Sequence, residues 1–423
     1  MNPKILIIAP LFAPDKRVGA QRVTKLAMGL RDRGWIVKVL TIGEGMCARE
    51  VDPSFNHEKL QGIDVTRIRA LCFADAVARH RHRKGTGRAK FLVMRFFTKL
   101  VETLRPLDNW FFPWDELVVR RAVDMARSER PDLLWATVPD FSGALACYRV
   151  SARTSIPYVI DFRDVRLKLT RIEKAFSRRI VRAAAAVSYC APRQIEALEN
   201  LYPDEIRDKP ATLMYNCVEP ADAPPAEPAP PPAKAEMLYG GALYGGRRRI
   251  ASLLDALTAL RDKIVFRLYL PAHEVEKVAA AVRQRGLGDS VFPRPLLPRQ
   301  EFLKTAARAA VLLVIVGHNA KARDHETAIP AKVFDYLALA RPILVAGPGN
   351  CEAGRLVEAI GRGAASLDTD KDDMVAAINM LLENRNKDRK LDMSAAAVEQ
   401  FESGRILAQY GEFLCEAAQR GNR

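Results

Sequence analysis

Short, continuous apolar runs, each followed by a stretch whose apolar residues recur at helical spacing, repeat along both halves of the chain, and this alternation most restricts its fold. A strand buried on both faces reads as an unbroken apolar run. Residues 4–9 (KILIIA) lead into a Pro- and Gly-containing loop, residues 21–33 carry the helical spacing, and residues 35–41 (WIVKVLT) supply the next strand. The alternation recurs at 133–137 (LLWAT), 158–161 (YVID) and 184–188 (AAAVS). It predicts a doubly wound α/β, Rossmann-like domain, whose ligands sit beyond the carboxyl ends of the strands.

Residues 219–234, EPADAPPAEPAPPPAK, interrupt this rhythm: Pro and Ala dominate, no hydrophobic period remains, and the chain is expected to be extended there. Beyond it, a strand at 237–239 leads into GGALYGGRRR, residues 250–261 have helical spacing, and 264–270 (IVFRLYL), 311–316 (VLLVIV) and 343–346 (ILVA) read as strands. At 423 residues the chain exceeds what one core usually organises. We therefore expect an N-terminal Rossmann-like domain over 1–218 and a linker over 219–234. A C-terminal Rossmann-like domain over 235–400 follows, then a helix over 401–423 that packs back toward the first domain.

With 49% apolar and 27% charged residues the composition is that of a soluble globular protein. Pro10 and Pro14 cut off the first apolar run, unlike a secretory signal, and no stretch reaches the roughly 18 apolar residues of a membrane helix, so a cytoplasmic location is expected. Seven cysteines are scattered without CxxC pairs or His partners at metal spacing; neither zinc nor a disulfide framework is expected. The first strand leads into APLFAPDKRVGAQR rather than GxGxxG, which argues against a dehydrogenase.

Gly240 and Gly241 follow a strand directly and precede Arg247, Arg248 and Arg249, so this loop can present both bare amides and guanidinium groups to a diphosphate. Positive charge at a helix start is disfavoured by the helix dipole and calls for a reason. Gly241 with Arg247 or Arg248 are the candidates; the plain alternative is a tight turn followed by solvated arginines. In AIPAKVFDYLALARP, Pro330 suits a first helical turn, and Lys332 and Asp335 lie within about one turn of the helix start, within reach of a docked ligand. A solvated first-turn acid is the plain alternative for Asp335. Gly19 opens a helix after a loop at a strand end, with Arg22 one turn in, placed to meet a phosphate or an acceptor, or to act as ordinary capping and a surface arginine. Asp161 and Asp164 end a strand, where a carboxylate could accept the proton of an acceptor hydroxyl or fix the acceptor; a salt bridge with Arg163 or Arg166 is the alternative.

Four stretches, APLFAPDKRVGAQRVTKLAMGLRDRGWIVKVLT, DFRD at 161–164, LYGGALYGGRRR at 238–249 and AIPAKVFDYLALARPILV at 328–345, occur in this order over most of the chain. Together, and most specifically through the last, they resemble the retaining GT-B glycosyltransferases of the family 4 type. The resemblance implies two Rossmann-like domains with a cleft between them. It also implies a sugar moved from a nucleotide-diphosphate donor, held in the second domain, to a hydroxyl acceptor. A diphosphate leaving group gains charge as the sugar bond breaks, so fixed cations or amides must be aimed at it. By resemblance Asp335 holds the place of the family's second motif Glu, which accepts hydrogen bonds from the donor ribose, and Lys332 faces the phosphates. The family's first motif Glu would fall at Thr327, whereas the acid here is Glu326, one position early, leaving Glu326 or backbone groups near Ala328 to contact the donor sugar. Retention is implied without a covalent intermediate, the leaving phosphate taking the acceptor proton on the same face. Metal independence is implied too, so the nucleotide sugar is a substrate and no cofactor or metal is expected.

The net charge of +16 is uneven: residues 61–100 hold ten Lys/Arg (67, 69, 79, 81, 83, 84, 88, 90, 95, 99) against Asp64 and Asp75. Within it, residues 78–99, ARHRHRKGTGRAKFLVMRFFTK, join a basic cluster to an apolar run, as in an interfacial helix drawn to an anionic membrane surface, or a basic loop ahead of a core helix. Family members that build bacterial surface polysaccharides commonly use lipid-linked acceptors, so the resemblance implies a lipid-linked or glycan acceptor and peripheral binding at the inner face of the membrane. Two rivals stand beside this reading. A sugar-nucleotide 2-epimerase would share the fold. A non-catalytic nucleic-acid binder is prompted by the charge, but with no reading motif present no nucleic-acid partner is expected.

Overall fold

A computed structural model of the chain describes residues 2–44, 51–52, 55–70, 96, 114–139, 141–167, 169–220, 224, 234–246, 248–317, 326–386 and 389–421. Arg247, the basic segment 78–99 apart from residue 96, and most of the linker 219–234 lie outside the described residues. The chain divides into two compact units, Met1–Cys190 with Gln194–Met214 and Ile406–Arg423, and Ala191–Arg193 with Tyr215–Arg405.

The first unit is built on β1 (Lys4–Ile8), α1 (Val18–Arg31), β2 (Ile36–Ile42), β3 (Ile63–Ile68), α2 (Trp114–Glu129), β4 (Leu133–Val138), α3 (Phe141–Thr154), β5 (Tyr158–Phe162), α4 (Arg171–Ala183), β6 (Ala186–Tyr189), α5 (Gln194–Leu201), α6 (Pro203–Ile206) and β7 (Ala211–Leu213). Its strands form one parallel sheet in the order β3-β2-β1-β4-β5-β6-β7, with Ile5 opposite both Val37 and Leu133. Strand order reverses between β1 and β4, the position where doubly wound sheets open a crevice at their carboxyl ends. Apolar side chains of β1 and β4, among them Leu6, Ile8 and Leu134, meet α2 and α3 through Trp114, Val118 and Leu145 in one core.

The second unit repeats the plan with β8 (Ala235–Gly240), α7 (Ala251–Leu260), β9 (Ile264–Leu270), α8 (Ala272–Gln284), β10 (Val291–Pro295), α9 (Arg299–Ala306), β11 (Val311–Ile315), α10 (Ala331–Leu337), β12 (Ile343–Gly347), α11 (Glu352–Ala359), β13 (Gly363–Leu367) and α12 (Lys371–Leu382). Its parallel order is β10-β9-β8-β11-β12-β13, so the reversal falls between β8 and β11, and the Gly240–Gly241 step stands at the carboxyl end of β8 beside it. The last helix, α13 (Ser403–Gly421), groups with the first unit from Ile406 onward.

Within these two parallel sheets, the strands that the apolar runs do not reveal, β3, β7, β10 and β13, are the edges. An edge strand is covered less completely and needs no unbroken apolar run. β3 (IDVTRI) mixes polar and apolar positions, β10 carries Pro293 and Pro295, and β13 (GAASL) is mostly small residues. Helix α1 begins at Val18, ahead of the expected 21, because its first turn packs Gly19 and Ala20 inward rather than showing an apolar stripe of large residues.

Candidate functional site

Strand β8 ends at Gly240, and Gly241 turns the chain out of the sheet at φ +140°, a conformation that strains any residue with a Cβ. Its bare Cα also makes room: a Cβ there would lie 2.6 Å from Lys332 Nζ and 3.6 Å from an Arg248 guanidinium nitrogen. Both cations therefore close on the same stretch of backbone.

Arg248 reaches this point from the loop after β8. Its Nη1 donates to the Tyr239 hydroxyl (3.0 Å) and to the Ala242 carbonyl (2.9 Å), and its guanidinium lies over the Tyr244 ring at 4.7 Å. Those partners are neutral, so they orient the charge without cancelling it. Lys332, at the second position of α10, donates to the Gly240 carbonyl oxygen and stands over the Tyr239 ring, 4.5 Å from its centroid. Burial first, and Arg248 second, push the Lys332 ammonium down to about 7, against the opposing pull of Asp335. Burial raises the Tyr239 phenol above its ordinary value, although Arg248 works in the other direction.

Asp335, one turn along α10 from Lys332, accepts from Arg299 of α9 at 2.7 Å and is only partly exposed. Arg299 is a charged neighbour that the motif did not announce. Glu326 enters the described structure through its backbone, its carbonyl accepting the Glu352 amide at 2.8 Å. Gly241, Arg248, Lys332 and Asp335 are thus brought into one neighbourhood, while the candidate Arg247 lies outside the described residues.

The candidates of the first unit are placed differently from the expectation. Asp161 has no solvent exposure, and Arg22 is only 5% exposed. Arg22 grips the carboxylate with Nε and Nη2, both at 2.8 Å, while Thr137 donates to it at 3.0 Å and Ser188 at 2.9 Å. Those four bonds occupy the acceptor sites of a carboxylate, and none is left for the proton of an acceptor hydroxyl. Asp161, expected to take a proton or fix the acceptor, and Arg22, expected to meet a phosphate or the acceptor or to lie at the surface, are placed in a buried, bidentate ion pair that ties α1 to β5. Burial by itself would lower the Arg22 pKa, but Asp161 outweighs it and holds the guanidinium charged, above its ordinary value.

The pair continues inward. Trp135 Nε1 donates to the Tyr410 hydroxyl (2.8 Å), which in turn meets Ser188 Oγ (2.8 Å), so α13 is fastened to β4 and β6 by a chain of buried polar groups ending on Asp161. Asp164, by contrast, is exposed and contacts Arg163 Nε at 3.4 Å. At Gly19 the Arg163 guanidinium packs close to the backbone: a Cβ would stand 2.1 Å from one of its nitrogens, so that side chain would have to move. Among the described residues no three His, Cys, Asp or Glu converge to hold a metal ion, and no helix is long and apolar enough to cross a membrane.

Two doubly wound sheets, the second with paired cations at its switch point, define the class as a two-domain Rossmann-like α/β protein. Within that class, residues 19–210 match the family model of the glycosyl transferase 4-like domain. Among solved structures, the chain is similar to a glycosyltransferase from Rickettsia africae ESF-5, at 11% identity and TM-score 0.69 over 98% of each chain. It is also similar to Anabaena Alr3699/HepE in complex with UDP and glucose, at 14% identity and TM-score 0.65, over 98% of this chain and 100% of that one. The UDP-GlcNAc 2-epimerase from Methanocaldococcus jannaschii aligns at 13% identity and TM-score 0.54, over 98% and 99% of the two chains. The fold is therefore that of the GT-B glycosyltransferases. No curated protein matches the chain by sequence.

Proposed function

We propose that the protein is a glycosyltransferase that moves a sugar from a nucleotide-diphosphate donor to a hydroxyl acceptor with retention of configuration and without a metal. The observation that carries this reading is the convergence of Arg248 and Lys332 on the bare backbone of Gly241 at the carboxyl end of β8. Two cations held against neutral partners in a partly buried place repel one another, and a diphosphate supplies the charge that relieves them. The same cations would stabilise the charge that grows on the leaving diphosphate. Asp335 accepts from the donor ribose in this reading, Glu326 or the backbone beside it meets the donor sugar, and the exposed Asp164 is the carboxylate left to the acceptor. The solved Anabaena structure binds UDP and glucose, which supports a nucleotide sugar as the ligand class.

The acceptor we propose is lipid-linked or a glycan, reached from the cytoplasmic face of a membrane through the basic and apolar sequence 78–99. A 2-epimerase is the second reading, favoured by its shared fold. Thermal-shift screening against UDP, GDP, ADP and their sugars tests the donor site: one nucleotide is expected to raise the melting temperature, and silence from all at millimolar concentration would overturn the reading. Incubating the bound nucleotide sugar without acceptor then separates the two activities, because only an epimerase releases an epimerised sugar.

A further inference from the structure

Directly after β8 the chain makes a tight left-handed excursion in which Tyr244, Gly245 and Gly246 have φ of 52°, 64° and 92°. Such a run is not self-supporting, since the left-handed region is costly for tyrosine and entropically costly to fix for glycine. Besides its own backbone bonds, a carboxylate from another element holds it. Glu274, in the first turn of α8 and only 7% exposed, accepts the Leu243 amide on Oε2 at 2.7 Å and the Gly245 amide on Oε1 at 3.4 Å. Leu243 is the pivot of the loop: its carbonyl receives the backbone amides of Gly246 (3.2 Å) and Arg248 (3.1 Å), and its side chain is buried. The restraint thus runs from Glu274 through Leu243 to the backbone of Arg248, whose guanidinium then settles on Ala242 and Tyr239.

We infer that Glu274 is a positioning residue for diphosphate recognition, fixing the backbone of Leu243 and Gly245, and through Leu243 that of Arg248, so that Arg248 is presented to the phosphates while Glu274 itself touches no substrate. The inference rests on the proposed donor site. Its physical basis is preorganisation. Without the carboxylate, the buried Leu243 amide and the part-buried Gly245 amide lose their acceptor, the loop samples other conformations, and part of the binding energy of the diphosphate goes into ordering it. A glutamine cannot replace it, because one amide oxygen accepts from Leu243 or Gly245 but the amino group opposes the other N–H.

The test compares Glu274→Gln and Glu274→Asp with the wild type, using whichever of UDP, GDP or ADP stabilises the wild-type protein, together with its nucleoside and inorganic pyrophosphate as probes. Calorimetric Kd values for the nucleotide and for pyrophosphate are expected to weaken at least about tenfold in Glu274→Gln, with the nucleoside Kd unchanged, because the loop serves the phosphates and not the base. Partial recovery is expected in Glu274→Asp, which keeps both acceptor oxygens on a shorter stem. In an Arg248→Ala background the Glu274→Gln change should cost little further affinity. Equal weakening of nucleoside and nucleotide, or full additivity with Arg248→Ala, would reduce Glu274 to general stability and overturn the inference. Unchanged nucleotide affinity in Glu274→Gln would overturn it as well. If no nucleotide binds the wild-type protein, the donor-site reading itself has failed.

Discussion

Lys332 reaches back from α10 to the end of β8, where its ammonium donates to the Gly240 carbonyl oxygen beneath the charge of Arg248. Burial and that neighbour push it down to about 7, whereas in the unfolded chain the same amine titrates near 10.5. Between those values the unfolded state binds the extra proton, so the ligand-free protein gains stability as pH rises through this window and carries the full penalty below about 7. Lys332→Met removes the charge: we expect a higher urea midpoint at pH 7 than in the wild type, and a flatter rise of stability between pH 7 and 9.5.

A diphosphate placed against Lys332 returns the proton to it, so nucleotide binding should take up a proton near neutral pH and weaken as pH rises above about 7, by at most tenfold per pH unit. Calorimetry in two buffers of different ionisation enthalpy measures this uptake directly. In Lys332→Met both the uptake and most of the affinity should vanish.

Gly241→Ala meets two obstacles at once, a φ of +140° and a Lys332 nitrogen 2.6 Å from the new methyl group. Local strain of about 1–3 kcal/mol is expected from the backbone alone. Because the intruding atom also displaces Lys332, nucleotide affinity should fall by more than the stability loss accounts for, which thermal shift with and without nucleotide separates.

Removing one member of the Arg22–Asp161 pair leaves an uncompensated buried charge, so Arg22→Ala or Asp161→Ala should destabilise the protein by about 3–5 kcal/mol in urea unfolding. Activity per folded molecule should change far less if the pair is structural, as its geometry indicates, than if Asp161 takes a proton from the acceptor.

Tyr410→Phe deletes the hydroxyl that accepts from Trp135 and meets Ser188, stranding a buried indole N–H. A loss of about 1–3 kcal/mol is expected from unfolding curves. Limited proteolysis should find α13 released earlier than in the wild type.

Much of the architecture was legible in the chain. The five interior strands of the first sheet and the four of the second announce themselves as apolar runs, because burial on both faces demands it. The edges β3, β7, β10 and β13 escaped because a strand with only one neighbour is under no such demand. Gly241, Arg248 and Lys332 are readable as candidates from a glycine after a strand and cations near helix starts, and Asp335 from an acid one turn into a helix together with the family resemblance. Arg299, Glu274 and Leu243 were not, since nothing in a lone arginine, glutamate or leucine tells which backbone or carboxylate it will meet across the fold.

Local chemistry in the sequence by itself determined the period of the elements, the two doubly wound halves and the places where glycine frees the backbone, because these depend on neighbours in the chain. Only the tertiary structure decided what the charges do. Asp161 and Arg22 lie 139 positions apart, yet the sheet brings them together in a buried site, where a carboxylate with four donors is an anchor. Lys332 and Arg248 are converged on one glycine, where burial and each other's charge, more than Asp335, set the energy of the Lys332 ammonium. The same residue types take opposite roles because burial and partners, set by packing, fix the energy of a charge far more strongly than its place in the sequence.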